Sequence, residues 1–151
     1  MVSDFCAVNA QGLQKAKAKL EQLLPRESAT HHTDMALLSL IWPYGFKRAD
    51  IIAHVEAHLA RTRGVIRHRG DRYESSNNKE AEWVMGLPWL GIAHFELGDH
   101  QQAAHYLAVT EQLYTDNGLP EAYLANNQTT FHTPLAWAHA LSLVLRHKLA
   151  S

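Results

Sequence analysis

The chain has 151 residues, the size of one ordinary domain. Its 46% hydrophobic content and its net charge of -1 exclude a disordered tail and a basic nucleic-acid-binding protein. The single cysteine, Cys6, excludes an internal disulfide, and no apolar run is long enough to span a membrane. We therefore expect one domain over residues 1–151, located in the cytoplasm, with neither nucleic acid nor membrane as a partner.

Apolar residues recur with helical spacing along the whole chain, and no stretch has the alternation of a half-buried strand. Six helices are expected, over residues 13–24, 34–42, 47–61, 81–97, 99–115 and 134–148. The first, third and fifth carry a single apolar stripe, whereas the second, fourth and sixth are apolar on all sides. The sequence therefore predicts an all-α fold of three outer and inner helix pairs, which is half of a closed α/α toroid.

The connections between these helices alternate in length. The turns from an inner to an outer helix are short, whereas the loops from an outer to an inner helix, residues 25–33, 62–80 and 116–133, are long. Loops of more than about 12 residues in a compact domain are usually functional or disordered. Since all three long loops must lie on one rim, we expect the functional face there.

The second long loop contains a guanidinium, a carboxylate and a phenol within seven residues, from Arg67, Asp71 and Tyr73. Arg67 and Asp71 can hydrogen-bond the neighbouring hydroxyls of a sugar while Tyr73 stacks on its ring. The alternative is a solvated loop with local ion pairs, which are common and weak.

The third long loop contains one carboxylate, Glu121, within Gly118-Leu119-Pro120-Glu121. A carboxylate held in a turn can activate water as a general base, although an ordinary loop acid is the alternative. Trp83 and Trp137 stand near the starts of two inner helices, on the same rim. They can form a floor on which a sugar stacks, or they can belong to the core.

The order of these motifs is similar to that of a known family. Arg67, Asp71 and Tyr73 precede Trp83, and Gly118-Leu119-Pro120-Glu121 is followed after a loop by Pro134-Leu135-Ala136-Trp137-Ala138-His139-Ala140. From about Asp34 to Leu145 the chain resembles the C-terminal part of the glucoamylase family, glycoside hydrolase family fifteen. That family includes glucoamylases, glucodextranases and some trehalases.

The resemblance implies an (α/α)₆ toroid acting on α-linked glucosides such as α-glucans or trehalose. It gives Glu121 the position of the general base of an inverting hydrolysis and Arg67 a position near the scissile bond. Asp71, Tyr73, Trp83 and Trp137 are then the expected substrate-binding residues. The family's general acid belongs to an earlier helix pair that this sequence does not contain, so we expect little or no hydrolysis by this chain alone.

Two other functions stay open: a non-catalytic carbohydrate-binding module and a helical-repeat interaction protein. Half a toroid leaves apolar flanks, which predicts a homo-oligomer or packing against the remainder of a longer chain. No cofactor fingerprint is present, so we expect no cofactor. His54 and His58 lie one helical turn apart without an evident third ligand, so we expect no metal site.

Overall fold

The computed structural model describes residues 9–30, 32–73, 80–124 and 126–151. In these ranges the chain is mostly helical, and its one sheet has two short strands. The helices are α1 (Ala10–Leu23), α2 (Leu38–Ile41), α3 (Ala49–Leu59), α4 (Gly86–Glu96), α5 (His100–Glu111) and α6 (Ala136–Leu149). A 3₁₀ turn (Met35–Leu37) leads into α2, and the strands are β1 (Glu82–Trp83) and β2 (Ala122–Tyr123). The predicted all-α fold of three helix pairs in a partial toroid is confirmed.

The inner helix α4 forms the centre of the core. Its first eight residues, from Gly86 to Ala93, are all buried, whereas the outer helix α1 has no buried residue. Gly91 permits the close packing, because a Cβ at this position would lie 2.5 Å from Leu145 Cδ2 of α6. Pro88 is the third residue of α4, where its missing N–H interrupts no helical hydrogen bond.

The predicted start of α4 at residue 81 is wrong. The helix begins at Gly86, and Trp83 lies in β1. The backbone of Trp83 exchanges two hydrogen bonds of 3.0 Å with Val65 and pairs with Ala122 of β2. The backbone groups of this segment are thus satisfied by neighbouring loops rather than by a helix.

The expectation that the last inner helix is buried on all sides is also wrong. The buried residues of α6 are Ala138, Leu141, Ser142 and Leu145, which face α4 and α5. On its other side Leu143 is 62% exposed and Trp137 is 50% exposed. The reason is geometric, because among the described elements α6 packs on α4 and α5, which lie along one of its flanks.

Backbone hydrogen bonds join the segments at the ends of the three long loops. The N–H of Met35, two residues after the first loop, donates to the carbonyl of Arg67 in the second loop at 2.8 Å. Strand β1, which follows the second loop, pairs with β2 in the third loop. No helix in the described ranges has both the length and the apolar character needed to cross a bilayer.

Candidate functional site

The guanidinium of Arg67 is held in a fixed orientation by a buried carboxylate. Its Nε and Nη2 atoms donate to the two oxygens of Asp71 at 2.7 and 2.8 Å. The indole Nε1 of Trp83 donates to Oδ2 of the same carboxylate at 2.9 Å. Burial opposes ionisation of Asp71, but the bonds from Arg67 and Trp83 outweigh it and lower the pKa of Asp71. Asp71 therefore carries its negative charge beneath Arg67.

Two aromatic rings support the same guanidinium from its face. The Cζ atom of Arg67 lies 4.3 Å from the ring centre of Trp83 and 5.3 Å from that of Tyr73. The two rings pack against each other with 4.8 Å between their centres. The two hydrogen bonds to Asp71 use Nε and Nη2 of Arg67. The Nη1 group of Arg67 can therefore contact a ligand.

The predicted substrate-binding residues of the second loop therefore differ in accessibility. The Arg67 side chain is 38% exposed, whereas Asp71 is 2% and Trp83 is 6% exposed. Asp71 and Trp83 hold Arg67 from below and do not lie open to a ligand. Their substrate-binding role stays a prediction, and in this geometry it acts through the position of Arg67.

Arg67 opens onto a cleft on the loop rim. The cleft has a volume of about 380 Å³ and is lined by Asp34, Met35, Ala36, Arg67, His68, Met85, Trp89 and Trp137. Small-molecule sites commonly fall between about 300 and 1,000 Å³. Trp137 stands half-exposed at the edge, with its ring centre 5.7 Å from that of the buried Trp89. Arg67 supplies donors, Asp34 supplies an acceptor, and Trp137 supplies an aromatic face.

The loop that carries Glu121 is tied to α6 by a histidine. The N–H of Leu119 donates to Nε2 of His139 at 3.2 Å, and Nδ1 of His139 lies 3.0 Å from the carbonyl of Leu135. A carbonyl only accepts, so Nδ1 carries the proton and Nε2 is the acceptor. Gly118 takes a φ of 94°, which favours glycine at this bend.

The carboxylate of Glu121 is buried and is not among the described residues that line the cleft. Glu121 is 8% exposed, and within the described part of the chain its Oε2 has no hydrogen-bond partner. Its carbonyl accepts a hydrogen bond from the N–H of Val84 at 3.0 Å, one residue before the cleft residue Met85. A buried oxygen without a partner is costly, and such groups in a native protein call for an explanation such as a water, an ion or a catalytic role.

The structure thus brings the sequence-predicted residues to one rim. Some of them line the cleft, and others are buried. Arg67 and Trp137 line the cleft, whereas the β1–β2 pairing sets Glu121 beside the buried Trp83. Sequence reasoning missed the cleft residues Asp34, His68, Met85 and Trp89, and it missed the role of His139. The spacing of His139 after the Gly-Leu-Pro-Glu loop was a usable signal, but nothing in the sequence shows which backbone group it binds.

In the described ranges, no three His, Cys, Asp or Glu side chains gather in a way that could hold a metal ion. The rings of His54 and His58 do lie together, with 4.6 Å between their centres. Arg67 and Asp34 are the guanidinium and the carboxylate in the lining of the cleft.

The fold and this cleft define a mostly helical partial toroid with an aromatic, arginine-bearing site on its loop rim. Comparison with protein-family models and with curated proteins gives no match. Among solved structures, the chain is similar to a wild-type glycosidase at a TM-score of 0.70 and 23% identity, over 93% of this chain and 44% of that chain. A variant glycosidase in complex with glucose is similar at a TM-score of 0.70 and 22% identity, with the same coverage.

A third glycosidase, also a variant, is similar at a TM-score of 0.71 and 23% identity over the same shares of the two chains. The chain therefore spans less than half the length of these solved structures. At this level of identity the likeness shows the fold, which is that of part of a glycosidase.

Proposed function

We propose that this chain is a glycosidase-related carbohydrate-binding part of an α/α toroid, with an α-linked glucoside in the cleft. The observation that carries the proposal is the convergence of Arg67 and the half-exposed Trp137 in one cleft on the loop rim. An aromatic face packs against the C–H face of a sugar ring, and Nη1 of Arg67 and the carboxylate of Asp34 suit its hydroxyls. The glycosidase fold and the glucose held by one of the similar structures support this choice.

Each remaining predicted residue has a place in this proposal. Asp71, Trp83 and Tyr73 hold the guanidinium of Arg67, so that little side-chain entropy is lost when a sugar binds. Glu121 takes the position of the general base, as the resemblance to glycoside hydrolase family fifteen implies. Its Oε2, buried without a partner, is suited to holding a water molecule or a substrate hydroxyl.

Hydrolysis with inversion needs a second carboxyl group, which donates a proton to the leaving oxygen. The two groups stand about 6.5 to 9.5 Å apart in inverting enzymes. We propose that the acid comes from helices outside this sequence, since the similar glycosidases are more than twice as long as the part this chain covers. This chain alone then binds α-glucans or trehalose-like sugars with little or no turnover.

A non-catalytic carbohydrate-binding module is the second candidate. The burial of Glu121 and its absence from the cleft lining favour it. A general base must lie within hydrogen-bond reach of its water or substrate. If Glu121 stays in the observed position when sugar binds, the chain binds carbohydrate without taking part in catalysis.

We also propose that the open flank of α6 is covered in the working protein. Leu143 is 62% exposed on this flank, outside the cleft that Trp137 lines. Large apolar side chains at an open side of a fold commonly belong to an interaction surface. A second copy of the chain or the remaining helices of a toroid would cover it.

Thermal unfolding with added sugars tests the carbohydrate proposal. Glucose, maltose, trehalose and acarbose are added separately at about ten times the dissociation constant, where binding raises Tm by about 3 to 6 °C. We expect the shift to be lost in Trp137→Ala and Arg67→Ala. It should persist in Phe131→Ala, which removes an aromatic ring that is 90% exposed but lies outside the cleft. The absence of any shift, or its loss in Phe131→Ala, contradicts the proposal.

A further inference from the structure

A second cavity lies beside the candidate site and has a different chemistry. Its volume is about 470 Å³, and it is lined by Thr30, His32, Thr33, His54, His58 and Arg69. It has no lining residue in common with the cleft that contains Arg67. Among the described residues, the lining groups are imidazoles, hydroxyls and one guanidinium, without a carboxylate.

The hydrogen bonds of His54 leave a hydroxyl proton available in this cavity. Nε2 of His54 lies 3.1 Å from the carbonyl of His32 and 2.7 Å from Oγ1 of Thr33. Since a carbonyl only accepts, Nε2 of His54 carries the proton, and Oγ1 of Thr33 accepts from it as well. The hydroxyl proton of Thr33 is not used in that bond. Thr33 is 6% exposed, so this donor is fixed in a buried side chain.

Arg69 and His58 present donors in the same way. Nη2 of Arg69 lies 3.1 Å from Nδ1 of His58. A guanidinium only donates, so Nδ1 of His58 is the acceptor and its Nε2 carries the ring proton. The guanidinium of Arg69 has four further N–H groups, and it brings a full positive charge to the wall.

Glu80, an acid close enough to Arg69 to interact with it, makes its hydrogen bonds outside the cavity lining. Glu80 interacts electrostatically with Arg69, but its carboxylate accepts hydrogen bonds from the N–H of Gly70 at 2.7 Å and from Arg61 at 3.0 Å. Those contacts hold the charge of Glu80 outside the cavity lining. The wall therefore keeps a positive potential and a surplus of donors.

We propose that this cavity is a binding site for a tetrahedral oxyanion, either free phosphate or the phosphate group of a small phosphate ester. A phosphate offers mainly acceptor oxygens and carries one to two negative charges near neutral pH. Those properties complement the protons of Thr33 and His58 and the charge of Arg69. The volume also leaves room for the organic part of an ester.

The histidines make this binding dependent on pH. Burial, followed by the charges of His54, Arg69 and His32, lowers the pKa of His58 below its usual range. The proton that His58 gains enters at Nδ1 and releases Arg69 from that bond, and a bound anion offsets the charge of both groups. Binding therefore takes up a proton and strengthens as pH falls. Burial opposes ionisation of Glu80, but the hydrogen bonds from Gly70 and Arg61 lower its pKa, so Glu80 stays ionised over pH 5.5 to 7.5.

Isothermal titration calorimetry with sodium sulfate and with inorganic phosphate, at pH 5.5 and 7.5 and constant ionic strength, tests the proposal. Sulfate keeps the same charge at both pH values, so any change in its affinity reports on the protein. We expect one saturable site per chain and sulfate affinity about tenfold higher at pH 5.5. Glucose 6-phosphate is titrated as a third ligand. Tighter binding of the ester than of phosphate assigns the site to an ester, and equal binding assigns it to the free anion.

Variants show whether the cavity is the site. Arg69→Ala should weaken sulfate binding by about tenfold or more, and Thr33→Val should weaken it without a change in charge. Arg26→Ala removes the same charge from an exposed position outside the lining and should leave the affinity unchanged. Unfolding curves confirm that each variant is folded. The absence of saturable binding, unchanged binding in Arg69→Ala, or an equal loss in Arg26→Ala would overturn the proposal.

Discussion

The backbone N–H of Leu119 and the imidazole Nε2 of His139 are joined by a hydrogen bond of 3.2 Å. This bond fixes the loop that ends in Glu121 to the first turn of α6. The other ring nitrogen of His139 donates to the carbonyl of Leu135, so both sides of the ring are engaged. The candidate base therefore depends for its position on one histidine and on the tight bend before it.

Gly118→Ala should disturb this joint more than an ordinary glycine substitution. A Cβ at Gly118 would lie 2.9 Å from Nε2 of His139, and the backbone has a φ of 94°. The left-handed conformation costs about 1 to 2 kcal/mol for a residue with a side chain, and displacement of His139 costs about 1 kcal/mol more. We expect a loss of about 2 to 3 kcal/mol in the free energy of unfolding, measured by urea denaturation.

Gly98→Ala is the matched control, because Gly98 has a φ of 87° but an added Cβ would meet nothing within 4 Å. It should lose only the backbone part, about 1 to 2 kcal/mol. In a His139→Ala background, the extra cost of Gly118→Ala should disappear. Equal losses of unfolding free energy in Gly118→Ala and Gly98→Ala would show that the contact with His139 does not contribute to the cost of the Gly118 substitution.

The sequence predicted the fold well where helical periodicity was strong. The helices α3, α5 and α6 begin and end within a few residues of the expected positions. The prediction failed at Trp83, because apolar residues at residues 81–85 continue the helical pattern while their backbone groups pair with Val65 and Ala122. Such pairing depends on loops that are distant in sequence, which a periodicity does not contain.

Asp71→Asn should lower the free energy of unfolding at neutral pH and change how that free energy depends on pH. The pKa of Asp71 is lowered in the folded protein, against an ordinary value of about 3.9. Its stabilisation is therefore fully present above about pH 4 to 5 and is lost as the pH falls through the lowered pKa. We expect the variant to be less stable by about 2 to 3 kcal/mol at pH 7.

The measurement is urea denaturation of both proteins between pH 3 and 7. The difference between wild type and Asp71→Asn should narrow below pH 4, because acid protonates the wild-type carboxylate. Asp116→Asn, at an exposed position, should follow the wild type throughout. A constant difference over this range would contradict an ionised Asp71 as the group that holds Arg67.

The purified chain should release no glucose from α-glucans or from trehalose. The proposed mechanism takes its acid from helices outside this sequence, and Glu121 is proposed to act only on water. Glucose release is followed over long incubations with wild type and Glu121→Gln. Turnover by the wild type that vanishes in Glu121→Gln would refute the need for an external acid. Turnover that persists in Glu121→Gln would indicate a contaminating enzyme.

The sequence predicted which residues belong to the candidate site, but not which of them are exposed and which are buried. Arg67, Asp71 and Trp83 were expected to face a ligand together, since a sugar site uses all three residue types. The structure instead places Asp71 and Trp83 below Arg67, where they hold it. Spacing in the sequence indicates that groups are close, but which of them is exposed depends on how the two loops pack through β1 and β2.

The open flank of α6 should make the isolated chain associate. Leu143 is 62% exposed, and an apolar side chain of this size is stabilised by burial, by about 1.5 to 3 kcal/mol when burial is complete. Light scattering at high protein concentration should give a mass above the 17.0 kDa of one chain. Leu143→Asp should shift the protein toward the monomer, because association would then bury a charge. Leu13→Asp places the same charge on the 44% exposed Leu13 of α1 and should not change the mass. A wild-type protein that stays monomeric at high concentration would show that this flank of α6 does not drive association.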